Sequence, residues 1–392
     1  MVMVIRARAD ACPGVVAAHA AADGALARIR LPGGRVGAAA LRVLADCAEE
    51  LGDGAVHLTS RGNVQLRGLA EDTDELVARL VAAGLLPAPN HERVRNILAS
   101  PLSGITGGLV DVRGVVDRLD AALCARPELA ELPGRFLFAL DDGRGDVSGE
   151  DADVCWRAVD AHTGVLLLAG ADTGWRVPLR AAVAALVRVA TAFRAVRGSA
   201  WRVRELPDPA ALAAELPPTE LPPTELPPLP AGLATPVGPV HRDDGGLGWC
   251  VAPLFGQFAA DQVRLLAELS AEVVVTPWRS VVLPGVAAGA EHRLAAAGLL
   301  TDPAAPGLRV SACIGRPGCA KARADVRAHA RQVLARLPEG EHVHFAGCAR
   351  RCGAPRRPHH DVLAQDGGYL VDGTALVGVA ALAASLTPKG EP

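Results

Sequence analysis

One structural unit is written twice in this chain. DGALARIRLPGGRVGAAALRVLADCAEEL followed by AVHLTSRGNVQLRGL is answered, beyond a proline-rich stretch, by GGLGWCVAPLFGQFAADQVRLLAELS followed by EVVVTPWRSVVLPGV. Each copy reads as a strand, a glycine-containing turn, an amphipathic helix and a hairpin-like strand pair. Thr59 lines up with Thr276, and Arg61 roughly with Arg279. The pairing points to an internal duplication about a pseudo-twofold axis, with a site between the halves. The rival is coincidence between two generic βαββ units.

Between the copies stands AELPPTELPPTELPPLPAG, Ala214 to Gly232. Its repeated ELPPT and paired prolines favour an extended polyproline II spacer. The expected segmentation is 1–75 for the first copy, 76–210 for a middle region, 211–234 for the linker, 235–300 for the second copy and 301–388 for a C-terminal region. The middle alternates strand-like runs (RFLFAL, VCWRAV, GVLLLA) with helical ones (VVDRLDAALCAR, LRAAVAALVRVATAF). The expected class is α+β, with strands and helices interleaved in layers.

The chain is 392 residues long, half of them apolar, with a formal net charge of −3. That balance favours neither nucleic acid nor a membrane surface as partner. No apolar run is long enough to span a bilayer, and the N-terminus lacks a signal-peptide core. A cytoplasmic location is therefore expected. In that compartment nine cysteines point to metal or redox use for some of them and away from a disulfide framework. Lysine occurs only at Lys321 and Lys389. Every other basic side chain is arginine, whose planar fork grips carboxylates in a bidentate way.

Four cysteines are paired in sequence. Cys313 and Cys319 form C-x5-C, and Cys348 and Cys352 form C-x3-C. Four thiolates suit zinc or an iron–sulfur cluster. The wide first spacing fits zinc knuckles poorly, and the close runs of ferredoxins do not match either. A helix is expected over about 318–337, which would put Cys319 at a helix N-terminus where the dipole favours a thiolate. Cys12, Cys47, Cys124, Cys155 and Cys250 read as ordinary reduced thiols.

C-x5-C followed by G-C-x3-C-G resembles the cluster signature of the sirohaem-dependent nitrite and sulfite reductase superfamily. The resemblance implies a [4Fe-4S] cluster on Cys313, Cys319, Cys348 and Cys352, with Cys352 facing a tetrapyrrole. RIRLPGG resembles the superfamily segment that sends an arginine, here Arg30, to the pocket. LTSRGNVQL resembles its tetrapyrrole-binding stretch, through Thr59, Arg61 and Gln65, and RNILASPLSG resembles another, through Arg95 and Asn96. The architecture implied is two ferredoxin-like half-domains plus two mixed α/β cofactor-binding domains about a pseudo-twofold axis.

Where sulfite-type reductases carry two lysines, LPGRFLFALDDG places Arg135 and Leu137. Losing a cation there weakens a site for a small oxyanion. FLFALDDG, RNILASPLSG and VTPWRSVVLPG, the last with Arg279, are similar instead to the precorrin-3B synthase branch, which hydroxylates a macrocycle. The implied activity is O2-dependent hydroxylation of precorrin-3A at C20 with lactone formation, in aerobic cobalamin biosynthesis. The substrate would be a carboxylate-rich tetrapyrrole met by Arg30, Arg61, Arg95, Arg135 and Arg279. Well-placed guanidinium–carboxylate pairs are worth roughly 1.5–3 kcal/mol each.

The resemblance also implies O2 as co-substrate and NAD(P)H as indirect donor. No G-x-G-x-x-G follows a strand, so a separate reductase or ferredoxin would deliver electrons. A second iron, non-haem or sirohaem, has as candidates by residue type His57, His91, His359 and His360. No catalytic acid or base is assigned. The alternatives are a compact sirohaem nitrite or sulfite reductase and a non-catalytic iron–sulfur carrier or sensor.

Overall fold

The computed structural model describes residues 12–215, 237–337, 340–376 and 378. The ELPPT spacer falls almost wholly on 216–236 and so lies outside the described residues; the turn Pro209–Glu215 leads into it.

The first copy of the repeated unit forms strands β1 (His19–Ala21), β2 (Gly24–Ile29) and β3 (Arg35–Gly37), then helix α1 (Ala38–Leu51), strands β4 (Ala55–Leu58) and β5 (Val64–Leu69), and helix α2 (Asp74–Ala82). The middle region supplies β6 (Ile97–Ala99), α3 (Arg113–Cys124), β7 (Phe138–Asp141), β8 (Val154–Ala158), β9 (Thr163–Leu168), β10 (Ala171–Pro178) and α4 (Ala182–Val196). The second copy follows as β11 (Gly238–His241), β12 (Leu247–Val251), β13 (Gln257–Ala259), α5 (Ala260–Leu269), β14 (Glu272–Val275), β15 (Val281–Leu283) and α6 (Ala290–Ala296). The C-terminal region adds β16 (Val310–Ala312), α7 (Val326–Val333), β17 (Val343–Ala346), β18 (His360–Gln365), β19 (Gly368–Val371) and β20 (Thr374–Leu376).

The duplication is real, and the copies exchange a strand. One antiparallel sheet runs β1-β2-β5-β4-β13 and the other β11-β12-β15-β14-β3, so each copy lends its short third strand to the other's sheet. The entry to each lent strand is a left-handed turn. In the first copy it is Gly33 and Gly34, at φ 63° and 74°, and in the second Phe255 and Gly256, at φ 58° and 71°. At Gly34 a Cβ would come within 2.0 Å of the Val275 carbonyl oxygen, so the crossing admits only glycine. Leu41 and Leu44 of α1 share one core with Val263 and Leu266 of α5, which fuses both half-domains into one body.

The other two sheets also match each other. β6, β7 and β8 run parallel and β9 and β10 antiparallel; β16, β17 and β18 run parallel and β19 and β20 antiparallel. The α+β class and the pseudo-twofold therefore hold for all four sheets. Among the described residues no helix is long and apolar enough to cross a membrane.

Two alignments change. The Thr59 and Thr276 hydroxyls do correspond, each accepting from backbone N–H groups of its own turn. The residue two beyond Thr59 is Arg61 and two beyond Thr276 is Trp278, so Arg279, at φ 60°, matches Gly62, at φ 63°. The long helix expected over 318–337 shrinks to α7. Asp325 caps it by accepting from Ala328 N–H at 3.0 Å. Before that cap, Arg316 N–H bonds Ala324 O and Arg323 N–H bonds Gly347 O, so the backbone closes a loop instead of a helix. Cys319 sits in that loop and not at a helix N-terminus.

Candidate functional site

In the first half-domain sheet the side chains sort by parity. Ala27, Ile29, Leu58, Val64 and Leu66 face the helices and are buried in the shared core. The register Arg28–Gln65–His57–Gln257 runs across β2, β5, β4 and the edge strand β13 on the opposite face. Arg28 Nη2 donates to Gln65 Oε1 at 3.4 Å, and His57 Nε2 lies 2.8 Å from Asp53 Oδ2. Arg67, two residues beyond Gln65, pairs with Asp23 and donates to the carbonyl of Gly318, at 2.9 Å. Gly318 immediately precedes Cys319, so this polar face looks onto the cysteine loops.

Three guanidiniums gather at one end of that face. Arg30 is 2% exposed and donates to the carbonyls of Pro13, Arg28 and Arg93. Burial, opposed by Cys12 and reinforced by Arg28 and Arg61, lowers its pKa to about 10. Burial and then Arg202 lower Arg61 likewise to about 10, with Cys12 acting in the opposite direction. Cys12 accepts from Arg28 Nη1 and Arg30 Nη2, both at 3.5 Å, and donates to Gly134 O. Among the described residues, Arg28, Arg30 and Arg61 have no carboxylate at ion-pair distance, and the Nε atoms of Arg28 and Arg30 have no partner. Positive charge gathered in a partly desolvated place, without a carboxylate at ion-pair distance among the described residues, attracts anions more strongly than the same charge in water.

The cysteines leave the ends of two neighbouring parallel strands. Cys313 follows β16 and Cys348 follows β17, separated from it by Gly347. Cys313 N–H bonds Phe345 O at 3.0 Å, and Gly347 N–H donates to Cys313 Sγ at 3.1 Å. Partial burial and then the nearby thiols of Cys313, Cys348 and Cys319 raise the Cys352 pKa, which puts all four in one electrostatic group. Among the described residues, no three of these sulfurs come within 4.8 Å of one another. A tetrahedral zinc with Zn–S near 2.3 Å would draw them to about 3.8 Å. The four thiols are therefore not gathered as around one tetrahedral zinc, and four thiolates are the donor set that also suits an iron–sulfur cluster.

The pseudo-twofold mate of this site is closed. Positions Arg28, Gln65, His57 and Gln257 correspond to Cys250, Val282, Val274 and Arg35, which form the matching row of the second sheet. Cys250, Val274 and Val282 are packed with Ile105, Val237 and Val240 into a small apolar core. The loops matching the cysteine loops carry Ser100, Asp142 and Asp146, with Arg144 paired to Asp142 at 2.8 Å. One face is polar and only partly covered; its mate is filled with apolar side chains.

The remaining expected residues fall elsewhere. Arg95 is locked to Asp120 by bonds of 2.7 and 2.8 Å and to Leu85 O. Asn96 donates to Arg93 O and Gly134 O, and Thr59 ties its own turn, so both hold the loops that carry the arginines. Arg135 is exposed, with its guanidinium 5.5 Å from the Trp201 ring centroid, and Leu137 is buried in an apolar cluster. Arg279 reaches the cysteine loop, donating to Gly353 O at 3.1 Å. His91 bonds Arg126 O, His359 bonds Arg357 O, and His360 lies between Asp372 and Glu341. Among the described residues neither these three nor His57 joins two further His, Cys, Asp or Glu ligand atoms within 4.8 Å.

Sequence reasoning missed Arg28, Cys12, Arg67, Gln257 and Arg327. Alternation held the signal for Arg28 and Arg67: in ALARIR and VQLRGL the polar residues fall on one parity, which is the ligand-facing side of a half-buried strand.

Residues 19–83 match the family pattern described as the nitrite/sulfite reductase ferredoxin-like half domain. Precorrin-3B synthase of Sinorhizobium sp. is 27% identical over 94% of this chain and 84% of its own length. Ferredoxin–nitrite reductase of Synechococcus elongatus is 39% identical, but over 30% of this chain and 25% of its own length. The structure of Mycobacterium tuberculosis NirA superposes with a TM-score of 0.73 at 21% identity, covering 94% of this chain and 82% of that one. The fold is therefore nitrite/sulfite reductase-like.

Proposed function

We infer that this chain, whose fold and N-terminal half domain are those of the nitrite and sulfite reductases, is a precorrin-3B synthase. In this reading it is an oxidoreductase that hydroxylates precorrin-3A at C20 with O2, with lactone formation, in aerobic cobalamin biosynthesis. The observation that carries it is the arginine group on the polar face. Arg28, Arg30 and Arg61 stand together without carboxylate partners among the described residues, on a sheet face that Arg67 ties to the cysteine loop through the Gly318 carbonyl. A relative matched along 84% of its own length bears that name.

A precorrin carries many acetate and propionate groups, and the three guanidiniums supply the opposite charge. Arg28 and Gln65 present donors along one edge of the face, and Arg67 fixes the distance between that face and the cysteine loop. Cys313, Cys319, Cys348 and Cys352 would hold the [4Fe-4S] cluster, which supplies electrons one at a time when bound. Leu137, in an apolar cluster, adds no cation for a small oxyanion. The donor in this reading is a separate reductase or ferredoxin drawing on NAD(P)H.

A sirohaem-dependent nitrite reductase is the second reading, favoured by the 39% local match to such an enzyme. Anaerobically purified protein separates the two. Conversion of precorrin-3A under O2, with no nitrite or sulfite reduction, is the expected result. Intense sirohaem absorption together with rapid nitrite reduction would overturn the precorrin reading.

A further inference from the structure

Two half-buried arginines beside the cysteines have no acidic partner among the described residues. Arg279 adopts the left-handed backbone that its counterpart Gly62 adopts, a conformation side chains disfavour. Room for it is made by two glycines: a Cβ on Gly256 would lie 2.7 Å from Arg279 Cδ, and one on Gly353 would lie 2.6 Å from Arg279 Nη2. The guanidinium donates to Gly353 O, the carbonyl of the residue after Cys352. Arg327, from α7, donates through Nε to Cys313 O at 3.2 Å and through Nη1 to Gln257 Oε1. Among the described residues neither guanidinium has a carboxylate at ion-pair distance.

The pseudo-symmetric loops show the contrast. There Arg144 is neutralised in place, with Asp142 at 2.8 Å and Asp146 at 3.8 Å. The cysteine side keeps its positive charge and bonds it to the backbone of the ligand loops. Charge held this way acts on whatever the thiols bind, because a partly buried site screens poorly.

We propose that Arg279 and Arg327 raise the reduction potential of the cluster on Cys313, Cys319, Cys348 and Cys352, stabilising the form that carries one more electron. The inference rests on the cluster assignment above. Both are tuning residues that act through charge, and charge and hydrogen bonding around the sulfurs are among the factors that set such potentials.

The test is an EPR-monitored titration of the whole protein with dithionite, comparing wild type with Arg279→Gln, Arg327→Gln and Arg279→Lys. Each Gln variant should need a potential lower by about 59 mV or more, a tenfold change in the reduced-to-oxidised ratio for one electron. Arg279→Lys, which keeps the charge, should stay near the wild-type midpoint. Gln variants with a full cluster and an unmoved midpoint would overturn the proposal, as would a Lys variant that falls as far as Gln. A wild-type protein reconstituted with iron and sulfide that shows no cluster absorption contradicts the cluster itself, a separate outcome.

Discussion

Ser100 and Cys313 occupy the same place in the two mixed sheets, and their γ atoms make the same contact. Asp142 N–H donates to Ser100 Oγ at 3.1 Å, and Gly347 N–H donates to Cys313 Sγ at 3.1 Å. The duplicated scaffold thus offers one loop geometry twice and arms it once. Restoring a single thiol does not rebuild the missing site, because its mate loops present acids and Arg144 where the other half presents cysteines. Ser100→Cys should bind no more iron than wild type by metal analysis; a second cluster's worth of iron would contradict this.

The same loop carries a pH dependence. Burial, then repulsion from Asp141, raises the Asp146 pKa to about 7, although Ser100 donates to it. The folded state therefore holds a proton that the unfolded chain releases near 4. Between about pH 4 and 7 this group makes the protein less stable as pH rises, and above 7 its effect is constant. Asp146→Asn removes the charge. Its stability relative to wild type, from urea melts, should improve between pH 5 and pH 8 and not decline.

Arg30 and Arg95 should respond differently to truncation although both are buried. Arg30→Ala removes uncompensated charge from the polar face, so affinity for a carboxylate-rich porphyrin should fall roughly 10- to 150-fold, on the order of 1.5–3 kcal/mol. Arg95→Ala strands Asp120, a break that costs about 3–5 kcal/mol in buried pairs and less here because Asp120 is partly exposed. Fluorescence titration and thermal melts separate the two. Equal losses of affinity would mean that Arg95 also meets the ring.

The exchanged strands make a mechanical prediction. Gly34→Ala drives a Cβ into the Val275 carbonyl at a left-handed position, so a loss of roughly 2–5 kcal/mol is expected. Both half-domains share one core, so the melt should remain a single transition with a lower midpoint. Two separated transitions would show that the halves fold independently.

Much of this was legible in the sequence, because helices, hairpins and turn residues repeat in order across the two copies. The cysteine pairs were visible as motifs, and Arg30 and Arg61 lay in recognisable turns. The strand exchange was not. Arg35–Gly37 and Gln257–Ala259 are three residues each, too short for a period, and their partners lie in the other copy. Arg28 was within reach of simple alternation, whereas Arg327 meets Cys313 only through tertiary packing. The helix over 318–337 failed because alanine and arginine favour helix locally while the loop's own hydrogen bonds took the backbone first.

The central claim is that the ring is the substrate and that O2 supplies its new oxygen. Incubation of the protein, a reducing system and precorrin-3A under 18O2, followed by mass spectrometry of the product, tests this most directly. One 18O atom in precorrin-3B is the predicted result. An unlabelled product, or label entering only from H218O, would contradict it.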